Sequence, residues 1–252
     1  MIPIADKQPT AKRLVLSLLS APSLPRVSIG MLVRWGELFD IEPAAMRVTV
    51  GRLSRQGLLC PAGRGSYTIG PAGKLMARTA RDWVNANSRT GPWRGEWIFA
   101  HTSHLGRVNR TALRARERAF RLGGFAEYVQ GLWCRPGNLV ESTASTRQRL
   151  LSLGLEPAAV IIRASEVPGA SEKSLRALWP RRALTGAYRR HVRAMAASTN
   201  RMPKLPIEEA ARETLLVGEA VIRQINADPL LPDEIIDADL RRQMITGMLA
   251  YD

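Results

Sequence analysis

Hydrophobic residues recur at helical spacing through the first part of the chain. Thr10 precedes the first such stretch, Ser28 precedes the second, and Pro43 begins a third that ends at Gly57. Ser and Thr are favoured helix N-caps, Pro suits the first helical position, and Gly often ends a helix in the left-handed conformation. The pattern therefore predicts three helices, over residues 10–19, 29–39 and 43–56.

After Gly57 the helical pattern gives way to short extended runs. "LLCPA" and "SYTIG" flank the glycine turn "GRG" at residues 63–65, which predicts a β-hairpin. The polar stretch from Asn85 to Gly95 contains Gly and Pro and is typical of a linker. We therefore expect a first domain over residues 1–85.

Beyond the linker, strand-like and helical patterns alternate. "GEWIFAHTS", "FAEYVQGLWCRPGN" and "AAVIIRAS" favour strands, whereas "VNRTALRARERAFRLGG" and "STRQRLLSLGL" favour helices. The order β-α-β-(β)-α-β predicts a ferredoxin-like domain over residues 91–168. The remainder, residues 171–252, is helical in pattern and is interrupted by "DPLLPDEII". The predicted fold class is thus α+β, with three domains.

The chain of 252 residues carries a net charge of +15, which is unevenly distributed. Residues 1–90 hold 13 basic and 5 acidic residues, residues 91–165 hold 11 and 5, and residues 166–252 hold 13 and 12. This excess in the first two-thirds indicates a polyanionic partner there. No apolar run approaches the roughly 18 residues of a membrane span, and the two cysteines form no CxxC pair. We expect a cytoplasmic protein with reduced thiols and no membrane partner.

The third predicted helix has a distinct outer face. At 100° per residue, Met46, Val50 and Leu53 fall on one arc, and the opposite arc is rich in arginine. Gly51 also lies on that outer arc, although Gly in a helix interior costs about 1 kcal/mol relative to Ala. We take this as a sign that another molecule approaches the backbone there. A helix, a turn, an arginine-bearing helix and a hairpin with Arg64 at its tip predict a winged helix-turn-helix domain that binds DNA.

The chain resembles the PaaX family of bacterial transcriptional repressors. The resemblance covers nearly the whole chain and depends on the order of "RLVLSLL", "AMRVTVGRLSRQGLL", "GRGSYTIGPAGK", "WRGEW", "RERAFRLGGFAEYVQGLWCRPGN" and "DPLLPDEII". It implies an N-terminal winged helix that binds an operator as a dimer, a central ferredoxin-like domain similar to the small CRISPR spacer-acquisition nucleases, and a helical C-terminal domain. It also implies repression of an aromatic-acid catabolic operon, released by phenylacetyl-coenzyme A or a related acyl-CoA.

The resemblance and the helical pattern together predict a set of DNA-binding residues. The third helix faces the major groove, the hairpin holds the DNA backbone or minor groove, and the start of the first helix touches phosphate. A homodimer implies a palindromic operator in double-stranded DNA. The predicted residues are Arg47, Val48, Gly51, Arg52 and Arg55 on the helix, Arg64, Ser66 and Tyr67 on the hairpin, and Lys12 and Arg13 on the first helix.

Effector binding is predicted in the later part of the chain, between the central and C-terminal domains. Guanidinium groups match phosphate oxygens, so the arginine pairs of "WPRRALTGAYRRHVRAM" are candidates for holding coenzyme A phosphates. The alternative is a solvated face paired with acids such as Glu213. Trp133 is a candidate for lining an apolar effector cavity, with packing in the central core as its alternative. The candidate arginines are Arg181, Arg182, Arg189 and Arg190.

Two other function classes remain open from the sequence. The first is a metal-dependent nuclease that uses the central domain, which would cleave DNA with magnesium and be indifferent to Arg47. Such cleavage needs a carboxylate to hold the ion, and "WIFAHTS" supplies none at the end of the first central strand. His101 and His104 have no further metal ligand nearby in sequence, so no metal site, cofactor or enzyme activity is predicted. The second class is a nonspecific nucleic-acid-binding protein, with steep salt dependence and little sequence preference.

Overall fold

The computed structural model describes residues 8–21 and 24–251, apart from the side chains at positions 75 and 79. The chain forms two compact units. Unit 1 comprises Met1–Val84, His191–Arg223 and Gly247–Asp252, and unit 2 comprises Asn85–Arg190 and Gln224–Thr246. The stretch 171–252, predicted as one helical domain, thus contributes residues to both units. The fold is a mixture of helix and sheet, with two antiparallel sheets in the described part of the chain.

Three helices begin unit 1, and their predicted caps are confirmed. The Thr10 side chain accepts a hydrogen bond from the backbone N–H of Arg13, and the Ser28 side chain accepts one from that of Met31. Gly57 follows the third helix with φ of 68°, a conformation that Gly adopts without a Cβ clash. The helices are α1 (Ala11–Ser20), α2 (Ile29–Glu37) and α3 (Pro43–Arg55).

The predicted hairpin is also confirmed. The structure contains two further elements that the sequence pattern did not predict: a strand that pairs with the hairpin and a helix that follows it. The strands β1 (Val27–Ser28), β2 (Leu59–Pro61) and β3 (Ser66–Ile69) form an antiparallel sheet in the order β1-β3-β2. The helix α4 (Pro71–Arg81) then follows, where the sequence pattern predicted none. A glycine such as Gly73 is often found in turns, yet here it lies within a helix. A Cβ at this position would lie 2.8 Å from the backbone oxygen of Leu58, so close packing requires glycine.

The core of unit 1 lies between these helices and the small sheet. Leu14 of α1, Leu32 of α2 and Leu53 of α3 are completely buried in it. The helix α9 (Ile207–Asn226) packs against the same core through Leu215 and Leu216. Residues of α9 therefore help to complete the core that the first helices of the chain begin. The later part of the chain also forms α8 (Arg181–Arg201) and α10 (Ala238–Tyr251).

Unit 2 contains a four-stranded sheet, and the predicted order of its strands and helices is confirmed. The sheet order is β5-β6-β4-β7, and every neighbouring pair is antiparallel. Ile98, Phe120 and Leu150 are buried in its core. The elements are β4 (Trp97–His101), α5 (Arg110–Leu122), β5 (Ala126–Val129), β6 (Leu132–Pro136), α6 (Thr143–Ser152), β7 (Val160–Ala164) and the short helix α7 (Glu172–Arg176).

A buried arginine on β6 joins several segments of unit 2. Arg135 is 2% exposed, and burial lowers its pKa to about 9, so it is still charged at neutral pH. Its guanidinium donates hydrogen bonds of 2.5–3.3 Å to the backbone oxygens of Gly123, Pro136 and Pro229 and to the side-chain oxygen of Asn138. These acceptors compensate for the buried charge. They also hold the "DPLLPDEII" segment in the interior of unit 2.

Candidate nucleic-acid interface

The helix α3 has the two faces that its sequence predicts. Met46, Val50 and Leu53 are buried, whereas Val48 is 68% exposed although it is apolar. An exposed valine among arginines gives this face a small apolar contact surface. All five predicted DNA-facing residues lie on the exposed face: Arg47, Val48, Gly51, Arg52 and Arg55.

The arginines on this face are not used inside the protein. Within the described part of the chain, Arg47, Arg52 and Arg55 form no hydrogen bond or ion pair through their side chains. Other arginines of the chain are engaged, such as Arg149, which pairs with Glu141 at 2.8 Å. The α3 guanidinium groups therefore keep all their N–H donors for an external partner.

Gly51 lies in the middle of this surface, and no packing contact within the described protein requires a glycine there. A Cβ added at Gly51 would meet no described atom within 4 Å. By contrast, a Cβ at Gly70 would lie 2.3 Å from the backbone oxygen of Gly57, so the fold itself requires that glycine. An exposed glycine in a helix interior lowers stability by about 1 kcal/mol relative to Ala. The open space above Gly51 is accessible to a molecule that approaches the backbone closely.

The hairpin carries its predicted residues in two different environments. Arg64 is exposed at the tip and has no side-chain partner in the described part of the chain. Ser66 and Tyr67 are only partly exposed, and they pair with Ser28 and Val27 of β1. Tyr67 also packs against the unit 1 core. The tip therefore presents Arg64, while Ser66 and Tyr67 hold the hairpin in the sheet.

A second arginine lies at the hairpin tip, and sequence reasoning missed it. The Nη2 atom of Arg26 lies 2.6 Å from the position that a Cβ on Gly63 would occupy. Arg26 is exposed and directly precedes β1. The strand β1 has only two residues, too few to show the alternating pattern of a strand. No local sequence pattern therefore predicted that Arg26 lies beside the turn. The tip is thus more basic than the hairpin sequence alone indicates.

The two predicted residues at the start of α1 differ in their partners. Lys12 is exposed and has no side-chain partner in the described part of the chain. Arg13 forms an ion pair with Glu219 of α9, and both residues belong to unit 1. Lys12 is therefore the freer of the two cations for a phosphate contact.

The structure does not bring the predicted effector residues together in one cavity. Trp133 stacks on Phe120 with ring centroids 4.8 Å apart and lines a cavity of about 280 Å³ in unit 2, beside Arg107 and Arg116. The four candidate arginines of α8 do not line that cavity. The alternative partner Glu213 pairs with Arg201 at 2.6 Å. The four arginines, all exposed, are Arg181, Arg182, Arg189 and Arg190.

The histidines of unit 2 have a simple structural arrangement. The rings of His101 and His104 lie 5.1 Å apart, and the Nε2 atom of His104 is 2.9 Å from the backbone oxygen of Ala158. Residues 8–21 and 24–251 contain no group of three or more His, Cys, Asp or Glu residues placed to hold a metal ion. Within the same ranges, no helix combines the length and the apolar character needed to cross a membrane.

The chain is similar in structure to an uncharacterized protein, Rv0674, from Mycobacterium tuberculosis. The two chains superpose with a TM-score of 0.62 and 25% sequence identity, and the similarity covers 96% of this chain and 95% of the other. No protein-family model and no curated protein matches this chain. The similarity therefore shows that the mixed helix-and-sheet fold is shared along nearly the whole length of both chains.

Proposed function

We propose that this protein is a DNA-binding transcriptional regulator, with a winged helix-turn-helix domain built from α1, α2, α3 and the hairpin. The observation that carries the proposal is the exposed face of α3. It has three arginines without internal partners around a glycine with open space above it. The glycine lowers helix stability by about 1 kcal/mol relative to Ala, and the three guanidinium groups keep their N–H donors free for a ligand. Double-stranded DNA offers the negative charge and the close approach that it matches.

Each element of the proposed domain has a specific task on DNA. The 13-residue helix α3 spans about 20 Å and enters the major groove. There Arg47 and Arg52 can pair with guanine, and Val48 offers an apolar contact to a thymine methyl group. Arg64 and Arg26 at the hairpin tip bind phosphate or the minor groove.

Unit 2 is the proposed ferredoxin-like domain, with a role other than catalysis. Its strand and helix order and its sheet order β5-β6-β4-β7 support this fold. The strand β4 ends at His101 and is followed by Thr102, so the carboxylate that a metal-dependent nuclease needs is missing at this point. Binding is therefore favoured over phosphodiester cleavage as the function of the chain.

Within this class, we propose a cytoplasmic homodimer that represses an aromatic-acid catabolic operon, in the manner of the PaaX family. Release by phenylacetyl-coenzyme A or a related aryl-acyl-CoA is part of the proposal. The support is the motif resemblance together with the arginine-rich α3 and hairpin. Ligand binding would act by changing the population of the DNA-binding conformation.

Fluorescence anisotropy on labelled DNA from upstream of the gene and its neighbours tests this function. Binding is compared with scrambled DNA of equal length at near-physiological salt, with and without phenylacetyl-coenzyme A. We expect selective binding that the thioester weakens. Magnesium-dependent cleavage of the DNA would contradict the proposal in favour of the nuclease. Equal affinity for every DNA across the flanking region would support nonspecific binding instead.

The substitution Gly51→Ala separates a structural role of this glycine from a DNA-binding role. Because Ala is the better helix former and no described atom obstructs a Cβ, the variant should be more stable by about 0.5–1 kcal/mol. Because the added methyl group lies on the face proposed to enter the groove, its DNA affinity should fall at least several-fold. Urea denaturation and anisotropy measure the two effects. A variant that gains stability and keeps full affinity would show that DNA does not approach the α3 backbone.

A further inference from the structure

Unit 1 contains a large cavity between α1 and α9. Its volume is about 680 Å³, within the range of roughly 300–1,000 Å³ that small-molecule sites occupy. Every residue that lines it belongs to unit 1. The lining is mainly apolar and includes two tryptophans. Its principal apolar residues are Leu16, Trp35, Trp83, Leu215, Ile222 and Met248.

The polar groups around the cavity are mostly satisfied within the protein. Arg13 pairs with Glu219, and the Nε atom of Arg81 donates to the backbone oxygen of Ser20. Among the charged groups that line the cavity, Lys12 is the one for which the described part of the chain shows neither a hydrogen bond nor an ion pair. The cavity thus combines a broad apolar wall with two cations that form no ion pair in the described residues, Lys12 and Arg81, of which Lys12 also has no hydrogen bond. This combination complements a ligand that has an apolar body and an anionic head group.

The position of the cavity connects it to the proposed DNA-binding helix. Leu14 and Val15 on one side of α1 are buried in the core that also contains Met46 and Leu53 of α3. Lys12, Arg13 and Leu16 on α1 line the cavity, as does Trp35 of α2. A ligand that displaces α1 or α2 would therefore change the support of α3. Packed cores transmit such displacements because they are close-packed and have few voids to absorb them.

We propose that this cavity is the effector site of the regulator and that it takes a small aryl acid, whose ring suits a wall that includes Trp35 and Trp83. The acyl body occupies the apolar wall, and the anionic group lies at Lys12. The effect on DNA rests on the proposed function, whereas ligand binding itself does not. The site lies within unit 1 and does not involve the α8 arginines that the sequence predicted.

The binding test uses 1-anilinonaphthalene-8-sulfonate, an aryl anion that accepts energy from tryptophan fluorescence. Trp35 and Trp83 line the cavity, so the bound probe should quench tryptophan emission. Ala211→Phe fills the cavity from α9, and Ala220→Phe adds the same bulk to the same helix at a position that does not line it. We expect the first variant to lose at least 10-fold in probe affinity and the second to bind as the wild type does. Equal affinity of the two variants would overturn the site.

The substitution Lys12→Gln tests the head-group contact without altering the packing, because Lys12 is exposed. Probe affinity should fall about 10-fold at an unchanged melting temperature. An unchanged affinity would remove Lys12 from the site. Competition with phenylacetate and with phenylacetyl-coenzyme A then distinguishes a free acid from a thioester as the source of the acyl group. If neither displaces the probe, the assignment of an aryl acid is overturned.

The link to DNA is measured by repeating the anisotropy titration with the competing ligand present. In the wild type and in Ala220→Phe, we expect the ligand to lower DNA affinity at least 5-fold. In Ala211→Phe, DNA affinity should be the same with and without the ligand. If the ligand fails to weaken DNA binding in every variant, including the wild type, while binding remains sequence-selective, the effector assignment is contradicted and the proposed function is not. Probe binding at the cavity without selective DNA binding would instead contradict the proposed function and leave the ligand site in place.

Discussion

Replacing Arg52 with alanine is expected to weaken binding to the preferred DNA by about 1–3 kcal/mol, or roughly 5- to 150-fold. The loss should be largest on the preferred sequence, because a guanidinium that pairs with guanine contributes little on DNA without that base. The gap between preferred and scrambled DNA should therefore narrow. Fluorescence anisotropy on both DNAs, over a range of salt concentrations, measures the change.

Arg193→Ala is the matched control for this prediction. Arg193 is an exposed arginine on α8, so the control removes the same charge from unit 1 away from α3. It should change affinity little on either DNA. If Arg52→Ala lowers affinity equally on all sequences and reduces the salt slope by about one, Arg52 is a phosphate contact. If the two variants behave alike, α3 is not the DNA-binding surface.

Replacing Arg135 with leucine is expected to destabilise unit 2 by about 3–5 kcal/mol. The substitution removes every hydrogen bond that the guanidinium donates to the four oxygen acceptors of its network. Each buried acceptor left without a donor costs about 1–3 kcal/mol, and the added apolar contacts of leucine offset part of this. Urea denaturation followed by circular dichroism and tryptophan fluorescence measures the loss.

Arg163→Leu is the control on β7 of the same sheet. Arg163 forms an ion pair with Glu96 at 2.7 Å, and both side chains are about one-third exposed. Pairs of this kind contribute little, so the control should lose about 1 kcal/mol or less. A loss of similar size in both variants would show that the buried network of Arg135 does not hold unit 2 together.

The sequence by itself predicted the first three helices and the hairpin. Thr10, Ser28 and Gly57 gave the helix ends because capping depends on residues within one turn of each end. The outer face of α3 followed from helical periodicity, which is also local. The order of strands and helices in unit 2 could also be predicted, because the hydrophobic period that separates a strand from a helix is likewise local.

Other features depended on contacts between segments that are distant in the chain. The ion pair of Arg13 with Glu219 joins residues 206 positions apart, and Arg135 bonds to Pro229 across 94 positions. Such pairings leave no periodic or capping signal in either segment. Arg26 likewise reached the hairpin tip only through the pairing of β1 with β3.

The sequence thus determined which residues α3 presents, because that depends on one helix and its hydrophobic face. Tertiary structure alone decided that α9 closes a cavity against α1 and leaves Lys12 as its charged group without a partner in the described part of the chain. It also decided which arginines are paired internally and which stay free. The physical reason is that burial and ion pairing arise from three-dimensional neighbours, whereas helix ends and helix faces arise from neighbours along the chain.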